Sequence, residues 1–262
     1  MKSRFPTVLF AVPMILILAL PLLALLMSSS PATLIEGVQH PLFWDALLLS
    51  LWTATVSMAL VVLLGTPLSL WMSRRTTRLS RALQQLVLVP IVLPPAVVGI
   101  ALLQAFTPTG WLGGVLMSIG VQVPFTPLAV VLAQTVISAP FYIQSATVGF
   151  RRVDPQYIVV AETLGLSKSE TLRRVVVPLA LPGLVSGAAL AWARAMGEFG
   201  ATLLFAGNLP GTTQTMPLAI YMALENNIRV SIALAVFLAA ACVLVLGLAQ
   251  WLIPLSQRQR GA

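Results

Sequence analysis

From Ala82 to Phe150 the chain carries no charged side chain. A helix that crosses a bilayer takes about 20 mostly apolar residues. This run therefore has room for two crossings, joined by a Pro/Gly-rich stretch from Thr107 to Pro124. Composition extends the point: 58% of the 262 residues are hydrophobic and 8% are charged, against roughly 25% charged in a soluble domain. The chain reads as an all-α integral membrane protein, one transmembrane domain over 1–262. Six transmembrane helices are predicted, at 8–27, 47–72, 86–106, 125–148, 183–204 and 230–253, with a polar segment at 151–182.

Lys and Arg set the orientation. Lys2, Arg4, Arg74, Arg75, Arg78, Arg81, Arg151, Arg152, Lys168, Arg173, Arg174, Arg258 and Arg260 fall on one side of a six-span arrangement, while the opposite loops hold only Arg229. The positive-inside rule then makes both termini and the 151–182 segment cytoplasmic. The net charge of +8 fits lipid and topology rather than a nucleic-acid-binding face. A basic start before an apolar run is also how a signal peptide looks. Here the run exceeds the usual apolar region of about 7–15 residues, so it is read as a retained span. Trp44, Trp71, Trp111 and Trp251 fall near span ends, as interfacial aromatics should; Trp52 and Trp192 do not.

The residue inventory offers little for chemistry. Cys242 is the only cysteine and His40 the only histidine, so neither an intrachain disulfide nor a Cys-based metal site can be built. With no Gly-rich phosphate cradle and no Ser-His-Asp set, no enzyme activity, catalytic residue or metal site is expected in this subunit. Two spans look irregular. Pro90, Pro94 and Pro95 interrupt the third, which either faces protein or a cavity or is simply kinked for packing. After the fifth, 207–215 is loop-like, and 216–226 is long enough for a short helix on the outer side, re-entrant or on the surface, but not for a span.

The polar segment carries the most complete local signals. Asp154 can cap a helix with Pro155 at its first position, and Gly165 is placed to stop it in a left-handed turn. Ser167 and Glu170 have the spacing of a capping box, and Pro178 is expected to limit the second helix. Tyr157, Val160, Ala161 and Leu164 fall at i, i+3, i+4 and i+7, which makes one apolar stripe. Within the fifth span, Arg194 and Glu198 lie four residues apart, on one helix face. Counted from Pro182 they sit ~18 Å and ~24 Å into the bilayer. Two roles stand open for them: a lining of a translocation route or gate, with Gly197, Gly200 and Thr202 beside them, or a static ion pair that fixes packing. Gly197 and Gly200 suit close helix contact in either case.

The segment Val159–Ala161, Gly165 and Val175–Pro178 resembles the cytoplasmic loop of the permease subunits of binding-protein-dependent ABC importers. That loop reads EAA, three residues, G, nine residues, I-x-L-P. The glycine and proline spacing is kept; Val159 stands where the pattern has Glu, and Glu162 is a candidate substitute. GEFGATLLFAGNLPGTTQTMPLAIY, Gly197 to Tyr221, is similar to the molybdate/tungstate branch and, less closely, to the sulfate branch. The resemblance implies a homodimer and a coupling helix-turn-helix built on Tyr157, Val160, Ala161, Glu162, Leu164, Gly165, Leu166 and Ser167. This element would dock on two ATP-binding cassette ATPase subunits, which carry ATP and Mg, while an extracytoplasmic binding protein delivers the oxyanion at a bacterial or archaeal inner membrane. No cofactor is expected on the permease itself. Three alternatives are a sulfate/thiosulfate permease, a secondary anion transporter or channel, and a membrane-anchored DNA-binding regulator. The second is disfavoured by Glu198 being the only acid well inside a span, the third by a polar segment too short to bury a core.

Overall fold

A computed structural model of the chain describes residues 5–258, with side chains over 11–251; Lys2, Arg4 and Arg260 of the charge argument lie outside the described residues. Everything described is helix and connection, with no strand. α1 (Phe5–Met27) and α2 (Pro31–Gln39) meet at a bend of 78°. Ser30 caps α2 by accepting the Thr33 N–H at 3.2 Å. α1 is peripheral: it packs against α13 (Ile228–Arg258) and leaves most of its leucines and isoleucines exposed, as a lipid-facing helix would.

The centre is a triad of α3 (Pro41–Ser73), α7 (Pro127–Arg151) and α10 (Val177–Met196). Lipid supplies no hydrophobic drive between helices, so close approach and hydrogen bonds must hold them. Both are present. A Cβ on Gly183 would lie 2.8 Å from the Gly149 Cα, which brings the α7 and α10 backbones into contact. Ser145 Oγ donates to the Gly183 carbonyl at 2.8 Å. Between α3 and α7, Ser57 Oγ donates to the Val131 carbonyl at 2.9 Å, and Thr66 and Tyr142 share their hydroxyls at 2.6 Å.

Both irregular spans are broken. The third divides into α4 (Arg78–Val92) and α5 (Pro95–Phe106), bent by 109° at Leu93–Pro94, where the prolines remove helical N–H donors. The fifth span ends as a helix at Met196 and resumes as α11 (Gly200–Ala206), which corrects the uninterrupted 183–204 helix expected from hydropathy. The two second halves pack on each other: a Cβ on Gly99 would lie 2.8 Å from the Ala201 carbonyl, and one on Gly200 3.2 Å from Pro95 Cβ. The broken third span thus faces protein rather than being merely kinked.

Among the described residues four helices are long and apolar enough to cross a membrane, and the two bent pairs bring the number of candidate spans to as many as six. α6 (Gly113–Ser118) lies in the Pro/Gly-rich connection. α12 (Met216–Asn226) is short, and its first turn is buried, with the Met216 N–H donating to Ser50 Oγ of α3 at 2.7 Å. It is inserted into the bundle rather than laid on its surface.

Candidate functional site

Two places answer to the sequence-derived site residues. At one end of the bundle, α8 (Pro155–Thr163) is capped by Asp154, whose Oδ1 accepts the Gln156 N–H at 2.9 Å. It closes in a Schellman turn: Gly165 N–H donates to the Glu162 carbonyl at 3.0 Å and Leu166 N–H to the Ala161 carbonyl at 3.1 Å. Gly165 has φ +90°, a conformation that favours glycine. α9 (Lys168–Thr171) starts on a complete capping box, in which Glu170 accepts from the Ser167 N–H at 3.0 Å and from its hydroxyl at 2.8 Å. These bonds from Ser167, and less so the nearby Arg174 guanidinium, hold the exposed Glu170 carboxyl below its ordinary pKa.

Two expectations for this element are corrected. The apolar stripe divides: Tyr157, Val160 and Leu164 are exposed, joined by Val159, whereas Ala161 is buried against the chain's own core. Pro178 does not end the second helix. α9 runs through a π-turn, Leu172–Val176, into α10, so that Lys168–Met196 forms one helical rod of 29 residues. The proline needs no helical N–H partner just past the π-turn, at the second position of α10. Glu162 is exposed and lines a cavity of about 330 Å³ with Arg74, Lys168 and the buried Thr171. The Val159 side chain points outward, 63% exposed.

At the other end of that rod, Arg194 and Glu198 form an ion pair at 2.7 Å, with Glu198 only 1% exposed. Glu198 is not on the Arg194 helix face, because α10 has already ended; it stands in the Gly197–Phe199 break. Its second oxygen, Oε1, accepts the Ala201 N–H at 2.8 Å. One carboxylate therefore joins the last turn of α10 to the first turn of α11, a satisfied arrangement for a buried charge. Gly200 sits in the close contact with Pro95, but Gly197 does not need to be glycine for space: a Cβ there would meet only the Ala193 carbonyl at 3.6 Å. Thr202 is fully buried, its hydroxyl without a hydrogen-bond partner among the described residues.

Sequence reasoning missed a third feature. A cavity of about 460 Å³ opens between α4, α7 and α10, lined by Gln144, Ser145, Arg152 and Ser186 and by the closely approaching Gly149 and Gly183. Its signal was faint: uncharged polar residues inside otherwise apolar helices, on the same side of each.

An all-helical bundle with broken spans and one exposed, heavily capped polar loop is the architecture of a multi-pass membrane protein. The chain belongs to the family described as "binding-protein-dependent transport system inner membrane component", which matches residues 65–257. It is 43% identical, over 90% of this chain and 89% of the relative, to the molybdenum transport system permease protein ModB of Mycobacterium tuberculosis. It is 35% identical to the ModB of Escherichia coli K12 over 83% of this chain and 96% of that one. Among solved structures, a bacterial alginate ABC transporter in complex with a pentasaccharide-bound periplasmic protein matches 93% of this chain and 91% of its own, with TM-score 0.70 and 17% identity. The methionine ABC transporter MetNI in an inward-facing form matches 82% of this chain and 96% of its own, with TM-score 0.64 and 17% identity. At that identity these two establish a shared fold.

Proposed function

We propose that this chain is the permease subunit of an ATP-driven importer of a tetrahedral oxyanion, molybdate foremost, with tungstate next and sulfate last. The observation that carries the reading is near-full-length similarity to permeases named for molybdenum transport, 43% over 90% of the chain in one case. In this reading the chain makes six crossings with both termini cytoplasmic and works as a homodimer. It partners with two separate ATPase subunits that hold ATP and Mg, and with an extracytoplasmic binding protein. The chain itself performs no hydrolysis and holds no cofactor.

The rod supplies the coupling. The exposed side chains of Tyr157, Val159, Val160 and Leu164 offer an apolar knob that fits a groove on an ATPase partner. A displacement of that knob passes through the Gly165 turn and the capping box into Lys168–Met196, a helix ~43 Å long. Its far end is Arg194, clasped by Glu198. Motion at the coupling element is thus delivered to the one ion pair that ties α10 to α11, and the pair acts as a latch on that side of the path.

Uptake of labelled molybdate into vesicles that contain the permease, the ATPase and the binding protein tests the reading. Tungstate is expected to compete more strongly than sulfate, and uptake is expected to require ATP. Preferential loss with sulfate would reverse the ranking. Uptake without the ATPase would restore the secondary-transporter alternative.

A further inference from the structure

The cavity between α4, α7 and α10 contains polar groups that the fold does not use. Ser145 spends its hydroxyl proton on the Gly183 carbonyl. The Gln144 amide and the Ser186 hydroxyl have no hydrogen-bond partner among the described residues, and Gln144 is exposed on a helix read as spanning the membrane. A carboxamide facing hydrocarbon would lose its hydrogen bonds to water without replacement, so this face must look onto water or protein.

Its geometry is a ladder. Gly183, Ser186, Leu190 and Arg194 follow one another at i, i+3, i+7 and i+11 on α10, and Phe141, Gln144, Val148 and Arg152 do the same along α7. Arg152 caps the α7 end next to the polar loop and has no carboxylate partner among the described residues; Arg194 stands at the opposite end and is held by Glu198. Arg152 thus lines the cavity at the polar-loop end, while Arg194 stands one helical turn beyond Leu190, its last lining residue on α10.

Building on the oxyanion-importer reading above, we propose that this α7–α10 face is the translocation route and that Gln144 and Ser186 form a transit site for the dianion. The amide and hydroxyl donors can replace part of the ion's hydration shell. They are too weak to trap it, as fully charged rings would, and conduction needs a site that binds and lets go. At about 460 Å³ the space admits a tetrahedral oxyanion with retained water, each water taking ~30 Å³.

The test uses the assembled transporter with its ATPase and binding protein in vesicles, with Cys242→Ser as background. Gln144→Glu, which places a negative charge on the route, is expected to lower labelled-molybdate uptake at least tenfold while ATPase association is retained; Gln144→Asn is expected to stay within about threefold. Ser186→Cys and Gln144→Cys are expected to react with a membrane-impermeant, negatively charged thiol reagent, and uptake to stop on modification. Normal uptake by Gln144→Glu, or cysteines inert to the reagent because lipid or a second copy covers them, overturns the route. The background transporter separates the two readings. If it imports no oxyanion, the function assignment falls, and reagent access to Gln144→Cys alone then decides whether the face is aqueous.

Discussion

The coupling element and the Arg194–Glu198 break sit at the two ends of one helical rod and differ in what encloses them. At Asp154–Glu170 each stabilising group meets a partner within a few residues: Asp154 with Gln156, Gly165 with Glu162, Ser167 with Glu170. At the break the partners of Glu198, Arg194 and the Ala201 N–H, are just as near in sequence, but the carboxylate is 1% exposed and the resumed turn is enclosed by the distant α5. A locally closed element tolerates motion, because its shape travels with it. An element closed by distant packing holds its place, and a latch needs that.

The contrast can be broken most severely at Glu198. Glu198→Leu leaves Arg194, 27% exposed, without a carboxylate and the Ala201 N–H without an acceptor, and a loss of about 3 kcal/mol is expected from a partly buried charge and a buried donor left unpaired. A reduced unfolding midpoint in detergent checks it. Adding Arg194→Leu should recover most of that stability but not uptake; recovery of both would make the pair packing only. Next comes Gly183→Val, whose Cβ meets the Gly149 backbone at 2.8 Å. Overpacking of about 1–3 kcal/mol is expected, read in the same melt.

Gly165→Val should behave differently although its strain is also about 1–3 kcal/mol. No atom lies within 4 Å of the added Cβ, so the bundle is expected to insert and melt normally while ATPase association and uptake fall. Equal damage to the melt would show that the coupling element is not locally closed.

The smallest effect concerns pH. Glu170 has a lowered pKa in the folded state, so its capping contribution is present above the ordinary value of 4.5 and is lost as pH falls through the folded value. Amide exchange of Ser167 and Glu170, corrected for intrinsic pH dependence, should lose protection below that range, with α10 unaffected. Constant protection would remove the carboxylate from the cap.

Much of this was legible in the chain. Caps, the left-handed glycine and the 216–226 helix follow from residue types at short spacing, and the α7 and α13 spans follow from hydropathy. The same local rules misjudged Pro178, because a π-turn lets the helix pass without the missing donor. They also put Ala161 on an exposed stripe. Periodicity shows which residues share a face but not which neighbour covers its edge.

The sequence by itself determined that the chain is helical, that it lives in a bilayer and that one polar loop is rigidly capped. Those properties depend on transfer free energy and on hydrogen bonds between residues near in sequence. Tertiary structure alone decided that the fifth span breaks and packs its second half on that of the third, that Gly149 meets Gly183, and that Gln144 and Ser186 share one cavity. In a membrane, apolarity says a helix is inserted but not which face meets which partner. That choice belongs to close backbone contacts and to polar groups that must find each other across the bundle.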